Sequence, residues 1–470
     1  MDSQVRKKLI ELLSSENVLE AKEDRVCYSY DATRETAVPE AVVFPRNVAE
    51  VSEIMKLANR HRVAVVPRGA GSGFSGGAIP LQGGIVLAMN HFNRILQIDT
   101  DNLVAIVEPG VVTAEFQKAA EALGLFYPPD PASMTYATIG GNIAENAGGM
   151  RAVKYGVTKD YVLGLEVVLP NGEVVHTGSK CVKDVVGYNL TQLFVGSEGT
   201  LGIVTQAILR LLPLPEAKKT LTATFGAMTD AAKAVSDVIR NRVIPTTLEF
   251  LDRHCIRTVN EYLRLDLAAA AEAFLLIEVD GDADHIDRSI QKIKTVCESN
   301  RALEVQVAED PQQQNELWQA RRAVSPSLMR IAPKKINEDI VVPRSKIPDI
   351  LNRIDAIARR HRLLIVNFGH AGDGNIHVNI MADRSPETLA RADRAVDQIF
   401  RETIALEGRI SGEHGIGISK RNYIGMSLDA PTLDLMKQIK AWFDPNNILN
   451  PGKIFPNPPM QGLRRVSATD

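Results

Sequence analysis

The chain has 470 residues, more than a single hydrophobic core usually serves, so two or three domains are expected. Its 54 basic and 57 acidic residues give a formal net charge of −3, and no run of lysine or arginine is dense. This balance excludes a nucleic-acid-binding or anionic-membrane surface and favours a small-molecule substrate.

The N-terminal residues 1–18 predict a short amphipathic helix, and no stretch approaches the 18 uninterrupted apolar residues of a membrane span. Cys27, Cys181, Cys255 and Cys297 are far apart and match no iron–sulfur or zinc-finger spacing. We therefore expect a cytoplasmic protein with reduced thiols, without a transmembrane segment. Docking at a membrane through a partner stays open.

Further along, Val48, Val51 and Met55 recur at helical spacing behind Asn47, which predicts a helix over 47–62 with Asn47 as its N-cap. The strand "VAVVPR" follows. Glycine-rich loops, short strands and helices then alternate as far as residue 212, where the composition changes. A domain boundary is expected near residue 215.

A glycine loop after this strand, Gly71 to Gly76, satisfies G-x-G-x-x-G. A Rossmann site would need a helix at the third glycine, but Pro80, two more glycines and a new strand follow, so that fold is not expected. The loop can still bind an anion through successive backbone N–H groups. Two further clusters, "TIGGNIAENAGG" and "GSEGTLG", indicate a large ligand contacted mainly through main chain.

The second half of the chain predicts helices separated by strands such as "AFLLIEV" and "LLIVNF", in an α+β arrangement with helices on one face of a sheet. A final helix within "TLDLMKQIKAWF" is expected to stop at Asp444-Pro445. The four main helices are predicted at 229–242, 284–299, 346–361 and 386–406.

Two histidines flank a glycine-bearing turn in "NFGHAGDGNIHVNI", residues 367–380. If the turn forms a hairpin, His370 and His377 reach the same side, and Glu413 from "SGEHG" completes a two-His, one-carboxylate set. These ligands suit zinc, iron(II) or manganese, and residue types do not choose among them. The alternatives are hydrogen-bonded core histidines at the ends of a hairpin and an exposed carboxylate.

Several motifs carry a family resemblance over nearly the whole chain. "PRGAGSGFSGG", "PPDPASMTYATIGGNIAENAGG" and "GSEGTLGIVT" resemble the FAD-binding domain of the vanillyl-alcohol oxidase and p-cresol methylhydroxylase superfamily. "FGHAGDGNIHVN", "SGEHGIG" and "DPNNILNPGK" resemble the C-terminal half of its D-2-hydroxyacid dehydrogenase branch. The resemblance implies an α+β fold: a two-subdomain FAD-binding domain over 1–215, a substrate or cap domain with an antiparallel sheet over 216–415, and a C-terminal segment, 416–470, that returns to the FAD domain.

The same resemblance implies an FAD site built from the glycine clusters and the C-terminal tail. No histidine stands in the first loop, where some members attach FAD covalently, so noncovalent FAD is expected. The residues implied to hold FAD are Pro67, Arg68, Gly69, Ala70, Gly71, Ser72, Gly73, Pro131, Thr138, Gly140, Gly141, Asn142, Asn146, Ala147, Gly148, Ile203, Val204 and Asn450.

For the chemistry, the resemblance makes His414 the base that takes the substrate hydroxyl proton and Arg321 the partner of the substrate carboxylate. Arg322 beside it is expected to be an ordinary helix-surface arginine. Ser325 and Lys335 lie where relatives place further substrate contacts. The divalent metal would be held by the two histidines and the glutamate described above.

The implied activity is oxidation of a D-2-hydroxy acid, first D-lactate or glycolate, to the 2-oxo acid, with hydride transfer to flavin N5. Without an iron–sulfur or haem motif, reduced FAD is expected to pass electrons to another carrier, such as an electron-transfer flavoprotein, an iron–sulfur subunit or a quinone-linked protein, and direct reaction with oxygen stays open. A homodimer is compatible with the sequence. Alternatives are a D-2-hydroxyglutarate dehydrogenase, a noncatalytic FAD-binding subunit of a glycolate oxidase-type complex, an ether-forming relative and a metal hydrolase.

Overall fold

The structure is a computed structural model and describes residues 1–33, 35–264 and 271–456. Its α-helices are α1 (Ser3–Leu13), α2 (Lys22–Val26), α3 (Val48–His61), α4 (Thr113–Glu121), α5 (Ile139–Glu145), α6 (Ala152–Tyr155), α7 (Leu190–Phe194), α8 (Met228–Arg240), α9 (Arg253–Leu263), α10 (Ala283–Ser299), α11 (Pro311–Leu328), α12 (Ile347–His361), α13 (Pro386–Ala405), α14 (Ile424–Ser427) and α15 (Ala430–Phe443). Short 3₁₀ helices lie at Ser15–Asn17, Thr158–Asp160, Arg344–Lys346 and Arg421–Tyr423.

The strands form three sheets and one isolated pair. They are β1 (Val18–Leu19), β2 (Ala41–Val43), β3 (Val65–Arg68), β4 (Ile85–Ala88), β5 (Ile95–Asp99), β6 (Val104–Val107), β7 (Leu125–Phe126), β8 (Val162–Val168), β9 (Val174–Gly178), β10 (Ile203–Arg210), β11 (Leu212–Pro213), β12 (Ala217–Phe225), β13 (Thr247–Asp252), β14 (Ala273–Gly281), β15 (Ala302–Val307), β16 (Lys334–Val341), β17 (Leu364–His370) and β18 (Asn375–Ala382).

The first half of the chain contains two sheets. The four-stranded sheet has the order β1-β2-β4-β3, with β2, β3 and β4 parallel and β1 antiparallel at one edge. The five-stranded sheet, β5-β6-β10-β8-β9, is antiparallel throughout. Helix α3 covers the first sheet, and Asn47 caps it by accepting the Glu50 N–H at 3.0 Å, as its sequence predicts.

The glycine loop after β3 does not lead into a helix. From Gly71 onward the chain passes through turns and reaches β4 at Ile85. This confirms that the G-x-G-x-x-G match is not a Rossmann motif.

The second half is built on a seven-stranded antiparallel sheet with the order β15-β12-β14-β13-β17-β18-β16. Helices α8, α10, α12 and α13 confirm the four main helices predicted from the sequence, each bound within two residues. They pack on one face of this sheet and enclose its larger apolar core.

The prediction that helices lie on one face only is wrong, because α9 and α11 cover the opposite face. The cause is visible in β14, whose residues Ala273 to Val279 are buried at every position. Phe274 and Leu276 point into the smaller core with α9 and α11, whereas Leu275 and Ile277 point into the larger one. A strand that is apolar on both sides needs cover on both faces.

The chain after α15 returns to the first sheet. The helix ends at Phe443, before Asp444-Pro445, and Leu449 then forms a parallel bridge with Val65 of β3. The Asn450 N–H donates to the Val65 carbonyl at 2.7 Å. Throughout the described ranges, every helix is too short or too polar to cross a bilayer.

Candidate active site

A cavity of about 390 Å³ lies between the glycine-rich loops of the first half and helix α11 with residues Glu413 and His414 of the second. Apart from Asn146, every residue implied to hold FAD lines it. The first loop, the start of α5, the start of β10 and the C-terminal Asn450 therefore converge on one space. Their convergence could be expected from the glycine clusters, which are distant in sequence.

Asn146 does not line this cavity. It is the C-cap of α5 in the left-handed conformation, with φ of 51°, and its side-chain oxygen accepts the Lys159 N–H at 2.9 Å. Asparagine tolerates this conformation better than most residues, so its place in the motif is explained by helix termination.

The first loop is shaped for close approach of a ligand to its backbone. A Cβ at Gly69 would collide with Oγ1 of Thr138, and Gly71 has a φ of +68° that suits glycine. Thr138 in turn caps α5 by accepting the Gly141 N–H at 3.3 Å. Glycine loops that present main chain, beside apolar residues such as Ile203 and Val204, fit a dinucleotide cofactor with a diphosphate and a planar ring.

A cluster of candidate metal ligands adjoins the cavity. Strands β17 and β18 pair so that His377 lies opposite Phe368, two residues from His370, which puts both histidines on one face as the hairpin predicts. Their Nε2 atoms are 3.4 Å apart, and each lies 3.5 Å from Oε1 of Glu413. Three ligand atoms at this separation fit one divalent cation with positions left open.

Electrostatics favour the ligating forms of His377 and Glu413, whereas the charges of Glu249 and Glu413 overcome burial and raise the pKa of His370. Burial lowers the pKa of His377 to about 3, and its Nδ1 has no hydrogen-bond partner. Burial would raise the pKa of Glu413, but the charge and hydrogen bond of His370 outweigh it and hold the value at about 2. His377 and Glu413 are therefore in the forms that a metal ion requires, and His370 would have to release a proton when the ion binds.

Behind His370 lies the fully buried Glu249 of β13. Its Oε1 is 2.6 Å from Nδ1 of His370, which leaves Nε2 of that ring for a metal. Its other oxygen accepts Nε of Arg321 at 2.8 Å and a second bond from Nη2. Burial would raise the pKa of Glu249, but His370 and Arg321 outweigh it and lower the pKa.

This pairing gives Arg321 a carboxylate of the protein as its partner, where the sequence analysis expected the substrate carboxylate. The guanidinium is held by Glu249 and lies 4.9 Å from the ring centroid of Phe368, and Arg321 is not among the residues that line the cavity. A buried carboxylate needs a compensating charge, and Glu249 stands 72 residues earlier in the chain, so the partner was not visible in the local motif.

Arg322, expected on an ordinary surface, lines the cavity instead, together with Ser325. Burial lowers its pKa, and it makes no ion pair with an acidic residue in the described part of the chain. Lys335 lies outside the cavity lining and donates to Oγ of Ser325 at 2.6 Å. Of the predicted substrate contacts, therefore, Ser325 reaches the cavity and Lys335 supports it.

His414 lies at the boundary between the cavity and the metal-ligand cluster. Its ring stacks with His377 at 5.4 Å and with Phe74 of the first glycine loop at 4.9 Å between centroids. Burial lowers the pKa of His414, although Asp339 and Glu413 oppose this, so the ring is neutral near pH 7 and able to accept a proton. The contact with Phe74 was not foreseen, because the glycine motif indicates only backbone contacts.

Two carboxyl groups that the sequence reasoning missed also line the cavity. Glu145 accepts a bond from Oγ of Ser75 at 3.0 Å, and Glu198 accepts the N–H groups of Ile416 and Gly417 at 2.7 Å each. Burial raises the pKa of both. Glu198 joins the loop after His414 to the first half of the molecule, and Glu145 lies beside that loop at Gly415. The positions of both residues inside glycine motifs were the available signal.

Two family models match the chain. Residues 39–178 match the FAD binding domain, and residues 214–454 match the FAD linked oxidases, C-terminal domain. The second match alone spans more than half of the 470 residues.

The chain belongs to the FAD-linked oxidase family. Glycolate oxidase subunit GlcD of Bacillus subtilis is 48% identical over 453 residues, which are 96% of each chain. D-lactate dehydrogenase of Anaerostipes hadrus is 35% identical and covers 89% of this chain and 90% of its own. D-2-hydroxyglutarate dehydrogenase of Stutzerimonas stutzeri is also 35% identical, covering 91% and 94%. The chain is therefore an FAD-linked oxidoreductase of the type that includes glycolate oxidase, D-lactate dehydrogenase and D-2-hydroxyglutarate dehydrogenase.

Solved structures agree on the fold of this FAD-linked oxidase. p-Cresol methylhydroxylase with substrate bound superposes with a TM-score of 0.82 at 20% identity, covering 96% of both chains. Alkyldihydroxyacetonephosphate synthase gives a TM-score of 0.77 at 19% identity, covering 96% of this chain and 86% of its own. The expected vanillyl-alcohol oxidase type of fold is confirmed.

Proposed function

We propose that this FAD-linked oxidase oxidises a D-2-hydroxy acid, D-lactate or glycolate, to the 2-oxo acid. The observation that carries the proposal is the position of His414, which lines the FAD cavity and stacks on His377 of the metal-ligand cluster. When bound, FAD would accept the hydride and a divalent ion of zinc, iron or manganese would polarise the substrate hydroxyl.

The residues of the chain supply positioning and proton transfer. His370, His377 and Glu413 would hold the metal ion. His414 would take the hydroxyl proton while the hydrogen on Cα leaves with its electron pair, so the products are the 2-oxo acid, reduced FAD and one proton on the imidazole. Stacking against Phe74 and His377 limits the rotation of the His414 ring and so favours one approach to the substrate.

We further propose that residues 1–215 hold FAD, that 216–415 bind substrate, and that the segment from residue 416 returns to the FAD domain; its residues 457–470 lie outside the described residues. FAD would be noncovalent, because Pro67 to Gly73 contain no histidine. Electrons would leave to a separate protein, an electron-transfer flavoprotein or an iron–sulfur subunit, in keeping with the relative that is named a subunit of glycolate oxidase. D-2-hydroxyglutarate is the second candidate substrate, since one relative is named for it.

The experiment that tests this function is anaerobic reduction of the bound flavin. D-lactate, L-lactate, glycolate and D-2-hydroxyglutarate are mixed in turn with the yellow protein, before and after treatment with a chelator. We expect D-lactate or glycolate to bleach the flavin band, L-lactate to fail, and the chelated protein to recover when metal is added back. If all four fail with a flavin that dithionite reduces, the chain holds FAD for a partner or acts on another substrate class.

The two neighbouring arginines should behave differently. Arg322→Gln is expected to raise KM for the hydroxy acid by about 10-fold or more, because a charge-assisted bond to a carboxylate contributes about 1.5–3 kcal/mol. Arg321→Gln is expected to lower Tm, because it leaves Glu249 buried without its cation. Steady-state kinetics and thermal unfolding of both variants check this. A larger rise in KM for Arg321→Gln at unchanged Tm would reverse the assignment.

A further inference from the structure

We propose that Asp339 is a positioning residue that fixes the catalytic loop, defined here as residues 411–415, and with it the metal ligand Glu413 and the base His414. The inference rests on the proposed function for the roles of those two side chains. Asp339 itself lies on β16, directly across from His377 of β18 in the pair register, and is fully buried.

One carboxylate oxygen of Asp339 organises the loop backbone. Its Oδ2 accepts three consecutive N–H groups, from Gly412, Glu413 and His414, each at 2.9 Å. The hydroxyl of Ser411 lies 3.2 Å from the same oxygen. Hydrogen bonds to an ionised acceptor are roughly twice as strong as neutral ones. The buried carboxylate of Asp339 therefore contacts every residue of the loop from Ser411 to His414.

The rest of the Asp339 environment locks the carboxylate in place. Nδ2 of Asn375, at the start of β18, donates to Oδ1 at 2.5 Å and also to the Ile340 carbonyl at 2.9 Å. The ammonium of Lys420 donates to the Asp339 carbonyl at 3.0 Å and lies 3.8 Å from Oδ2. The carboxylate is thus held by Asn375 of the neighbouring strand β18, and the buried Lys420 balances its charge.

Asp339 could alternatively be a metal ligand, since it forms a second cluster with His377 and His414. The hydrogen bonds argue against that role. A carboxylate has about four lone-pair sites, and Asp339 already accepts four bonds, three from backbone N–H groups on Oδ2 and one from the Asn375 amide on Oδ1. Glu413, by contrast, directs its Oε1 toward both histidines. Asp339 is an anchor and Glu413 is the ligand.

The loop needs such an anchor because its glycine residues allow the backbone many conformations. Gly415 directly follows the base, and Gly417 lies two residues further on, with φ of +87° and +46°. Glycine can adopt more backbone conformations than other residues. Gly412 has to be glycine, because a Cβ there would collide with Nδ2 of Asn375 and approach Oδ1 of Asp339. The glycines allow the tight fit around the carboxylate, and the carboxylate selects one conformation from the many they permit.

The test uses the full-length protein loaded with FAD and the isosteric variant Asp339→Asn. We expect Zn²⁺ affinity, measured by titration of the chelator-treated protein, to fall about 10- to 100-fold, the usual effect of losing a group that supports a metal ligand. Amide hydrogen exchange in residues 411–415 should accelerate. Flavin reduction by substrate at saturating Zn²⁺ should slow, while FAD stays bound.

The matched control is Asp444→Asn. Asp444 is also a buried carboxylate that accepts two loop N–H groups, from Ile448 at 3.0 Å and Leu449 at 2.8 Å, and pairs with a lysine, Lys440. It is expected to lower Tm without changing Zn²⁺ affinity or exchange in the catalytic loop. If Asp339→Asn fails to fold, Gly412→Ala displaces the loop from an intact carboxylate and should give the same loss of affinity and faster exchange.

Wild-type Zn²⁺ affinity and wild-type loop exchange in Asp339→Asn would overturn the proposal, and so would equal effects in Asp444→Asn. These readouts separate it from the proposed function. A wild-type protein whose flavin no hydroxy acid reduces would refute the function, whereas loop exchange and Zn²⁺ affinity would still decide the role of Asp339.

Discussion

Flavin reduction by the hydroxy acid is expected to slow by about 10²- to 10⁴-fold in His414→Asn, because that is the usual contribution of a positioned general base. The asparagine side chain can occupy much of the space of the imidazole and can donate a hydrogen bond, but it cannot take the hydroxyl proton. FAD should remain bound, since the glycine loops proposed to hold it are built from other residues of the cavity.

The measurement is anaerobic stopped-flow reduction at saturating substrate, with FAD and metal content determined on the same preparation. Metal content matters because His414 stacks on His377, and a loss of metal would slow reduction for another reason. His176→Asn is the matched control: its side chain is 72% exposed, on β9, and lies outside the cavity lining. Reduction at the wild-type rate in His414→Asn would remove this residue as the base.

The parts of the site that follow from local sequence were predictable. The period of the apolar residues and the Asn47 cap placed α3, and the turn after His370 placed the hairpin that aligns the two histidines. The glycine clusters indicated a large ligand, and their residues do line one cavity. For α3 and for the hairpin, the signal and the structure lie within a few residues of one another.

The parts that depend on long-range pairing were not predictable. Successive helix residues point about 100° apart, so sequence alone could not decide which of Arg321 and Arg322 faces the cavity. Glu249, 72 residues earlier in the chain, binds Arg321, and Arg322 is then the arginine that lines the cavity. In the sequence, nothing distinguishes Asp339 from other acidic residues of a strand. Its role depends on residues 412–414, which lie 73 to 75 positions later and bind its carboxylate only in the folded protein.

Gly69→Val is expected to yield a protein that is purified without FAD. A Cβ at position 69 would collide with Oγ1 of Thr138, which cannot withdraw without giving up its cap on α5. The valine is expected to displace the loop backbone from Thr138, and restoring the wild-type loop on FAD binding would cost about 1–3 kcal/mol, so FAD affinity should fall by about 10²-fold. The added methyl groups also occupy space that the diphosphate would need beside the backbone.

The measurement is the ratio of flavin to protein absorbance after purification, followed by FAD titration of the apoprotein. Gly425→Val is the matched control, because a Cβ at Gly425 of α14 would meet nothing within 4 Å. It should retain FAD. If Gly69→Val binds FAD as the wild type does, this stretch of backbone does not approach the cofactor, and the convergence of the glycine loops on one cavity would need another ligand to explain it.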